Sequence, residues 1–254
     1  MASVDTRFNQ SVAKAFDILE AFGVRPGPLS LTELIEISNL DRNSTLRMLH
    51  TLVALGYLER GPNQRGYVLG KKILHRTFDY LRGNPLIERA NPVLIELQQE
   101  CGEGVDLSLH DDLDIVYALR RQTRRHYYYA TLVGRTMPVY RTCAGRAIMA
   151  HLPDDRVDDI LARSDLVAAT PHTIVDPQGI REKVAQARAN GFALTAQESL
   201  MGELAVASAV LDRTGLPVGA VHIYGLLSQW TPEEFAQRFG PLVISAAQAL
   251  NAKH

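Results

Sequence analysis

The run LTELIEISNLDRNSTLRMLHTLVALGYLERGPNQRGY, residues 31–67, does most to limit what this chain can fold into. Two segments of helical periodicity meet at a short polar break, and a Gly/Pro-rich hairpin signal comes after them. Ser30 stands where it caps a helix beginning at Leu31, and Glu33 completes a capping box. Leu31, Leu34, Ile35 and Ile37 then fall on one face. Ser38-Asn39 breaks the pattern, Leu40 plugs the corner, and Asp41 caps a second helix, where a carboxylate suits the positive helix end. In that helix Thr45, Met48, Leu49 and Leu52 turn inward, with Val53 and Leu55 extending the apolar surface.

The opposite face offers Arg42, Asn43, Ser44, Leu46, Arg47 and His50. Arg and Asn pair bidentately with guanine and adenine edges, and Ser bonds a base or a phosphate. A solvated amphipathic hairpin would explain this face taken alone. The residues C-terminal to it favour another reading: a Gly56 C-cap, a short strand at Tyr57–Arg60, a turn at Gly61–Gly66 carrying Arg65, and a return strand at Tyr67–Leu69. That order is a winged helix-turn-helix, with the second helix reading a DNA groove and the hairpin touching phosphate. Arg42, Arg47, Arg60, Arg65, Lys71, Lys72 and Arg76 face only Asp41 and Glu59 over positions 41–76, a local excess of base in a chain of net charge −1.

A chain of 254 residues with 46% hydrophobic content has material for two modest cores and is no disordered polypeptide. No apolar run approaches the roughly 20 residues of a membrane span. The first 22 residues mix charges with helically spaced apolar residues, which predicts an N-terminal helix with Val12, Phe16, Ile18, Leu19 and Phe22 inward, and no signal peptide. Two cysteines, Cys101 and Cys143, make neither a disulfide framework nor a CxxC site, and the location expected is cytoplasmic.

The helical stretch KKILHRTFDYLRG ends at Gly83-Asn84-Pro85, which places domains at 1–70 and 85–254 with a linker helix over 71–84 that offers Ile73, Leu74, Phe78 and Leu81 for packing. Beyond it a helix runs over 86–100. Strands are expected at VDLSLH, IVYALRR, HYYYATL, FALTAQ, LAVASAVL and VGAVHIYG, and helices after RTC, over 154–163, 178–190 and 232–252. Strands covered by helices make an α+β domain with room for a ligand.

Several runs together resemble the IclR family of transcriptional regulators: LDRNSTLRMLHTLVALGYLER, LVGRTMPVYRTCAGRAIMAHL, PHTIVDPQGIREKVAQARANGFAL and ESLMGELAVASAVLDRTGLPVGAVHI. The resemblance covers nearly the whole chain. It implies a winged helix-turn-helix, a linker helix and a GAF-like α+β effector-binding domain. It also implies a homodimer, often pairing into a tetramer, that binds double-stranded operator DNA under control of a small metabolite, without a cofactor. The effector positions it implies are Tyr129, Cys143, Ala144, Thr195, Ala205, His222 and Tyr224. Members that bind small oxo acids carry an acid, a cysteine and two serines where this chain has Thr195, Ala205, His222 and Tyr224, which argues against a pyruvate-sized pocket. His222 and Tyr224 share a strand face. The expected effector is an aromatic or other organic acid, its carboxylate near 143–145 and its ring against Tyr129 and Tyr224.

Enzyme readings fare less well. His110-Asp111-Asp112 suggests a metal site but reads better as a polar turn, and His126, His151 and His172 fit no metal-ligand spacing. Cys143 near a helix start suggests a thiolate nucleophile but has no identifiable base. Glu198 matches a family acid of undecided role. No catalytic or metal residues are assigned. The remaining alternatives are a DNA-binding protein whose second domain only oligomerises and, less well supported, an enzyme acting on a small acid.

Overall fold

The computed structural model describes residues 7–122 and 133–251. The chain falls into two compact units, residues 1–80 and 81–254. The first contains α1 (Gln10–Val24), α2 (Leu31–Ser38), α3 (Arg42–Ala54) and the strands β1 (Leu58–Arg60) and β2 (Tyr67–Leu69). The caps behave as their residue types dictate. Ser30 and Glu33 form the capping box of α2, Asn39 takes the left-handed conformation at its end, and Asp41 accepts from the Ser44 N–H at the start of α3. Leu34, Thr45, Leu49, Leu52 and Leu58 close a core with Ile18 and Ala21 of α1. β1 and β2 pair antiparallel, and Leu29 adds a bridge to Tyr67.

In α1 the expected inward set is only half right. Ile18 is fully buried and Leu19 and Phe22 pack against the core, but Val12 and Phe16 are 52% and 57% exposed. At 3.6 residues per turn Phe16 lies roughly 160° round the helix from Ile18, so one core cannot hold both. Leu55, just past α3, is also exposed.

The division between the units falls inside α4 (Lys72–Gly83), a helix with no fully buried residue, whose Leu74 and Phe78 are exposed. The second unit runs α5 (Pro85–Cys101), β3 (Gly104–Asp111), β4 (Asp114–Arg121), β5 (Thr136–Pro138), α6 (Cys143–Met149), α7 (Asp154–Arg163), α8 (Pro177–Asn190), β6 (Ala193–Ala196), β7 (Glu203–Leu211), β8 (Pro217–Leu226) and α9 (Pro232–Leu250). Asn84 caps α5, Gly102 ends it in the left-handed region, and Thr231 with Glu234 forms a second capping box on α9. β5 was not expected from the sequence. The strand expected at HYYYATL lies outside the described residues.

These strands form one antiparallel sheet in the order β5-β4-β3-β8-β7-β6. Alternation sends Val105, Leu107, Val206, Val221 and Ile223 to one face, against Leu94 and Leu97 of α5 and Phe235, Phe239 and Val243 of α9. The other face carries Ala205, Ala207, Ala220 and Tyr224 against α6, α7 and α8. With both faces covered, the polar residues of the alternation are buried too: Asp106, Ser108, Thr195 and His222.

α6 sits close to the chain before it. A Cβ added at Gly145 would lie 2.2 Å from Val139 Cα, so only glycine permits this approach. The next residue, Arg146, is fully buried and every guanidinium nitrogen is used. Nε donates to the Tyr140 carbonyl (2.9 Å), and Nη1 and Nη2 donate to Oε1 and Oε2 of Glu198 (2.7 and 2.6 Å). Glu198 also accepts from the Ile174 N–H, so its role is to tie α6 to the loop before β7. Removing one member strands a buried charge. Glu198→Ala is expected to lower the unfolding free energy of this unit by roughly 3–5 kcal/mol. Urea titration checks this; a loss under about 1 kcal/mol would mean the pair holds nothing together.

Candidate functional site

The two candidate sites belong to different units. On α3, Arg42, Asn43, Leu46, Arg47 and His50 are exposed along one side while Thr45, Leu49 and Leu52 are buried. Ser44 is only partly exposed, and its Oγ accepts from Lys14 Nζ of α1 at 3.3 Å. That contact anchors the start of α3 and engages the hydroxyl within the unit. Arg65 is exposed at the hairpin turn, whereas Arg60 lies over the Tyr67 ring with its guanidinium carbon 4.3 Å from the centroid.

The second site is a cavity of about 210 Å³ on the α6 face of the sheet. Reading across the strands, Arg120, Asp106, His222 and Ala207 form one rung, and Gly104, Tyr224, Ala205 and Thr195 form the next. Cys143, Ala144, Thr195, Ala205, His222 and Tyr224 all line the cavity, so six of the seven expected effector positions come together. Tyr129, the seventh, lies outside the described residues. Tyr224 can lie flat across the sheet because position 104 has no side chain; a Cβ there would be 2.1 Å from Tyr224 Cζ.

Sequence reasoning missed the charged groups of this cavity. Arg120 donates from Nε to Asp106 Oδ1 (3.0 Å) and from Nη2 to Oδ2 (2.7 Å), and its guanidinium carbon lies 4.6 Å from the Tyr117 centroid and 5.4 Å from that of Tyr224. Glu203 and Arg135 line the same space. The signal was present in VDLSLH, whose polar alternate face begins with Asp106, but alternation alone does not say that helices cover that face.

Burial dominates the electrostatics. It raises the Asp106 carboxyl to about 7 despite Arg120, and raises Glu203 to about 7 against Arg120 and Arg135. Burial, then the charge of Arg120, lowers His222 to about 3, so the imidazole is neutral; its Nε2 shares a hydrogen bond with Ser108 Oγ at 2.9 Å. Burial, then Glu203, pushes the Cys143 thiol up to about 12, which leaves no thiolate to act as nucleophile. His110 and Asp111 end β3 and Asp112 opens the turn to β4: Arg163 of α7 holds both Asp112 oxygens at 2.7 and 2.8 Å, and no acidic, histidine and cysteine cluster among the described residues is arranged for a metal.

A helix-turn-helix unit joined to a domain with an internal cavity is the build of a DNA-binding regulator with an effector domain. The family described as the IclR helix-turn-helix domain matches residues 11–62, and that described as the bacterial transcriptional regulator IclR C-terminal matches residues 78–252. The chain belongs to the IclR family of bacterial transcriptional regulators and is not an enzyme. It is 30% identical over 247 residues, 97% of this chain and 84% of the other, to the Pca regulon regulatory protein of Pseudomonas putida. The crystal structure of Thermotoga maritima IclR superposes with a TM-score of 0.71 at 25% identity, covering 94% of this chain and 96% of that one. An IclR homologue from Microbacterium hydrocarbonoxydans, solved with 4-hydroxybenzoate, shares the fold at a TM-score of 0.77 and 20% identity, over 95% and 98% of the two chains. No helix among the described residues is long and apolar enough to cross a membrane.

The raised Glu203 carboxyl has a consequence for stability. Between about pH 4.5, its ordinary value, and about 7, the folded chain holds a proton that the unfolded chain releases. Folding stability from this group is therefore full below pH 4.5 and lost as pH rises through 7. Glu203→Gln cannot ionise. Relative to wild type it is expected to gain on the order of 2 kcal/mol between pH 5 and pH 8, below the full shift because the cavity admits solvent. Paired urea titrations at the two pH values measure this, and a difference independent of pH would contradict it.

Proposed function

We propose that this regulator binds double-stranded operator DNA as a homodimer, with the α3 of each copy in a major groove and Arg65 on the hairpin against phosphate, and that a small organic acid in the second unit's cavity controls that binding. The observation that carries the effector half is the cavity itself. It is built of aromatic rings (Tyr117 and Tyr224), a guanidinium (Arg120) and a neutral imidazole (His222) in a space of about 210 Å³. A cavity of roughly 150 Å³ accepts benzene, so a single aromatic ring with an acid group fits. The acid's carboxylate lies toward residues 143–145 and its ring against Tyr224, with Tyr129 in the same role. The Microbacterium homologue's 4-hydroxybenzoate supports an aromatic acid for this fold. The departures at Thr195, Ala205, His222 and Tyr224 from the acid, cysteine and serines of oxo-acid-binding relatives support a ligand of another class.

The DNA half rests on the exposed Arg42, Asn43, Arg47 and His50. Two-fold pairing gives pseudo-palindromic operators with half-sites on one side of the helix. Two copies pairing again give the tetramer, and the chain works in the cytoplasm, where its DNA is.

Arg47→Ala is expected to reduce discrimination between operator and scrambled DNA by about 10- to 100-fold, read by fluorescence anisotropy over a salt series. Full specificity in that variant would mean α3 is not the reader. In calorimetry His222→Ala is expected to weaken binding of the true effector about tenfold; unchanged affinity would remove His222 from the site.

A further inference from the structure

We infer that Leu46 of α3 is a base-reading residue, and that the group it meets is the C5-methyl of one thymine in each operator half-site. The inference rests on the reading of α3 as the groove-facing helix and deepens it.

Leu46 is out of keeping with its surroundings. It is 39% exposed, and the residues one turn before and one turn after it, Arg42 and His50, are exposed and polar. Four residues advance about 6 Å along a helix and turn only about 40° round it, so Arg42, Leu46 and His50 form one strip. Asn43 and Arg47, also exposed, form a second strip beside it. Neither Arg42 nor Arg47 makes an ion pair among the described residues, whereas Arg156, Arg163, Arg181 and Arg188 of the second unit each hold an aspartate. This face of α3 is therefore cationic and unengaged, the complement of a nucleic-acid groove. Leu46 is the apolar member set among its polar ones.

A major groove offers few partners to such a side chain. Phosphate oxygens ask for donors, and leucine has none. Guanine and adenine present N7 with a carbonyl or an amino group, and cytosine presents an amino group. Leucine pressed on any of these shuts a polar atom from water and returns no hydrogen bond. Thymine adds an apolar group to the groove edge, its C5-methyl. Packing Leu46 on that methyl removes apolar surface of both partners from water. The flanking residues set the register. One helical turn of about 6 Å spans just under two base-pair steps of about 3.4 Å, so the thymine falls within about two base pairs of the base that Arg42 or His50 reaches.

The test selects duplexes bound by the full chain from a random-sequence pool and then replaces each thymine of the selected duplex, in turn, by deoxyuridine. That exchange removes the methyl and keeps the O4 acceptor. Fluorescence anisotropy is expected to read a loss of about three- to tenfold at one thymine in each half-site, the effect of one methyl withdrawn from an apolar contact. In Leu46→Ala, shown folded by thermal unfolding, the same exchange should cost less than about twofold, because the partner of the methyl is already gone. A fresh selection with Leu46→Asn should no longer return thymine at that position, since asparagine pairs with adenine. Deoxyuridine tolerated at every thymine, or a loss equally large in Leu46→Ala, overturns the role of Leu46 and leaves the α3 reading to stand on Arg47. A pool from which no preferred sequence emerges overturns both.

Discussion

A strand that alternates apolar and polar residues ordinarily turns its polar face to water. In the second unit helices cover both faces of the sheet, so that outlet is closed. Asp106 and Ser108 on β3 and His222 on β8 are sealed under α6 and must satisfy one another. Everything particular to this cavity stems from that closure. Arg120 is drawn across the rung to Asp106, the neutral His222 takes Ser108, and the tyrosine rings pack on the guanidinium. The polar groups are fixed before any ligand arrives, which is how a binding site avoids spending affinity on ordering itself.

Among the described residues, the fully buried Arg146 and the largely buried Arg120 differ in what they hold. Arg146 has a partner for each nitrogen, all from its own chain, and gives a rigid joint between α6 and the loop that also supplies Ser199, Leu200 and Met201 to the cavity wall. Arg120 is paired with Asp106 on one side and lies against the Tyr117 and Tyr224 rings on the other. The same side chain thus makes a closed joint in one place and part of the cavity wall in the other.

Much of this was legible in the sequence because local chemistry decided it. The capping box at Ser30/Glu33 and the period-two strands through VDLSLH, LAVASAVL and VGAVHIYG each need only near neighbours. The positions implied by the family resemblance also gathered as described, Tyr129 aside. The features that were not legible depend on partners distant in sequence. Phe16 belongs to the outer side of α1 because α3 sets which stripe is inner. Ser44 points to Lys14, thirty residues away. Asp106, Arg120 and Glu203 come from three strands, and nothing short of the sheet order places them in one space. Glu198 was matched but not understood until Arg146 stood opposite it.

Gly104 contributes no atom to the cavity wall, yet the Tyr224 ring rests where its side chain would be. The dimensions of the chamber are therefore set partly from behind the wall. Under the proposed function, enlarging residue 104 would push the ring inward and change which molecules the cavity takes, while every residue lining it stays the same. Sensor specificity in such a fold is heritable through positions that a list of contacts would never name.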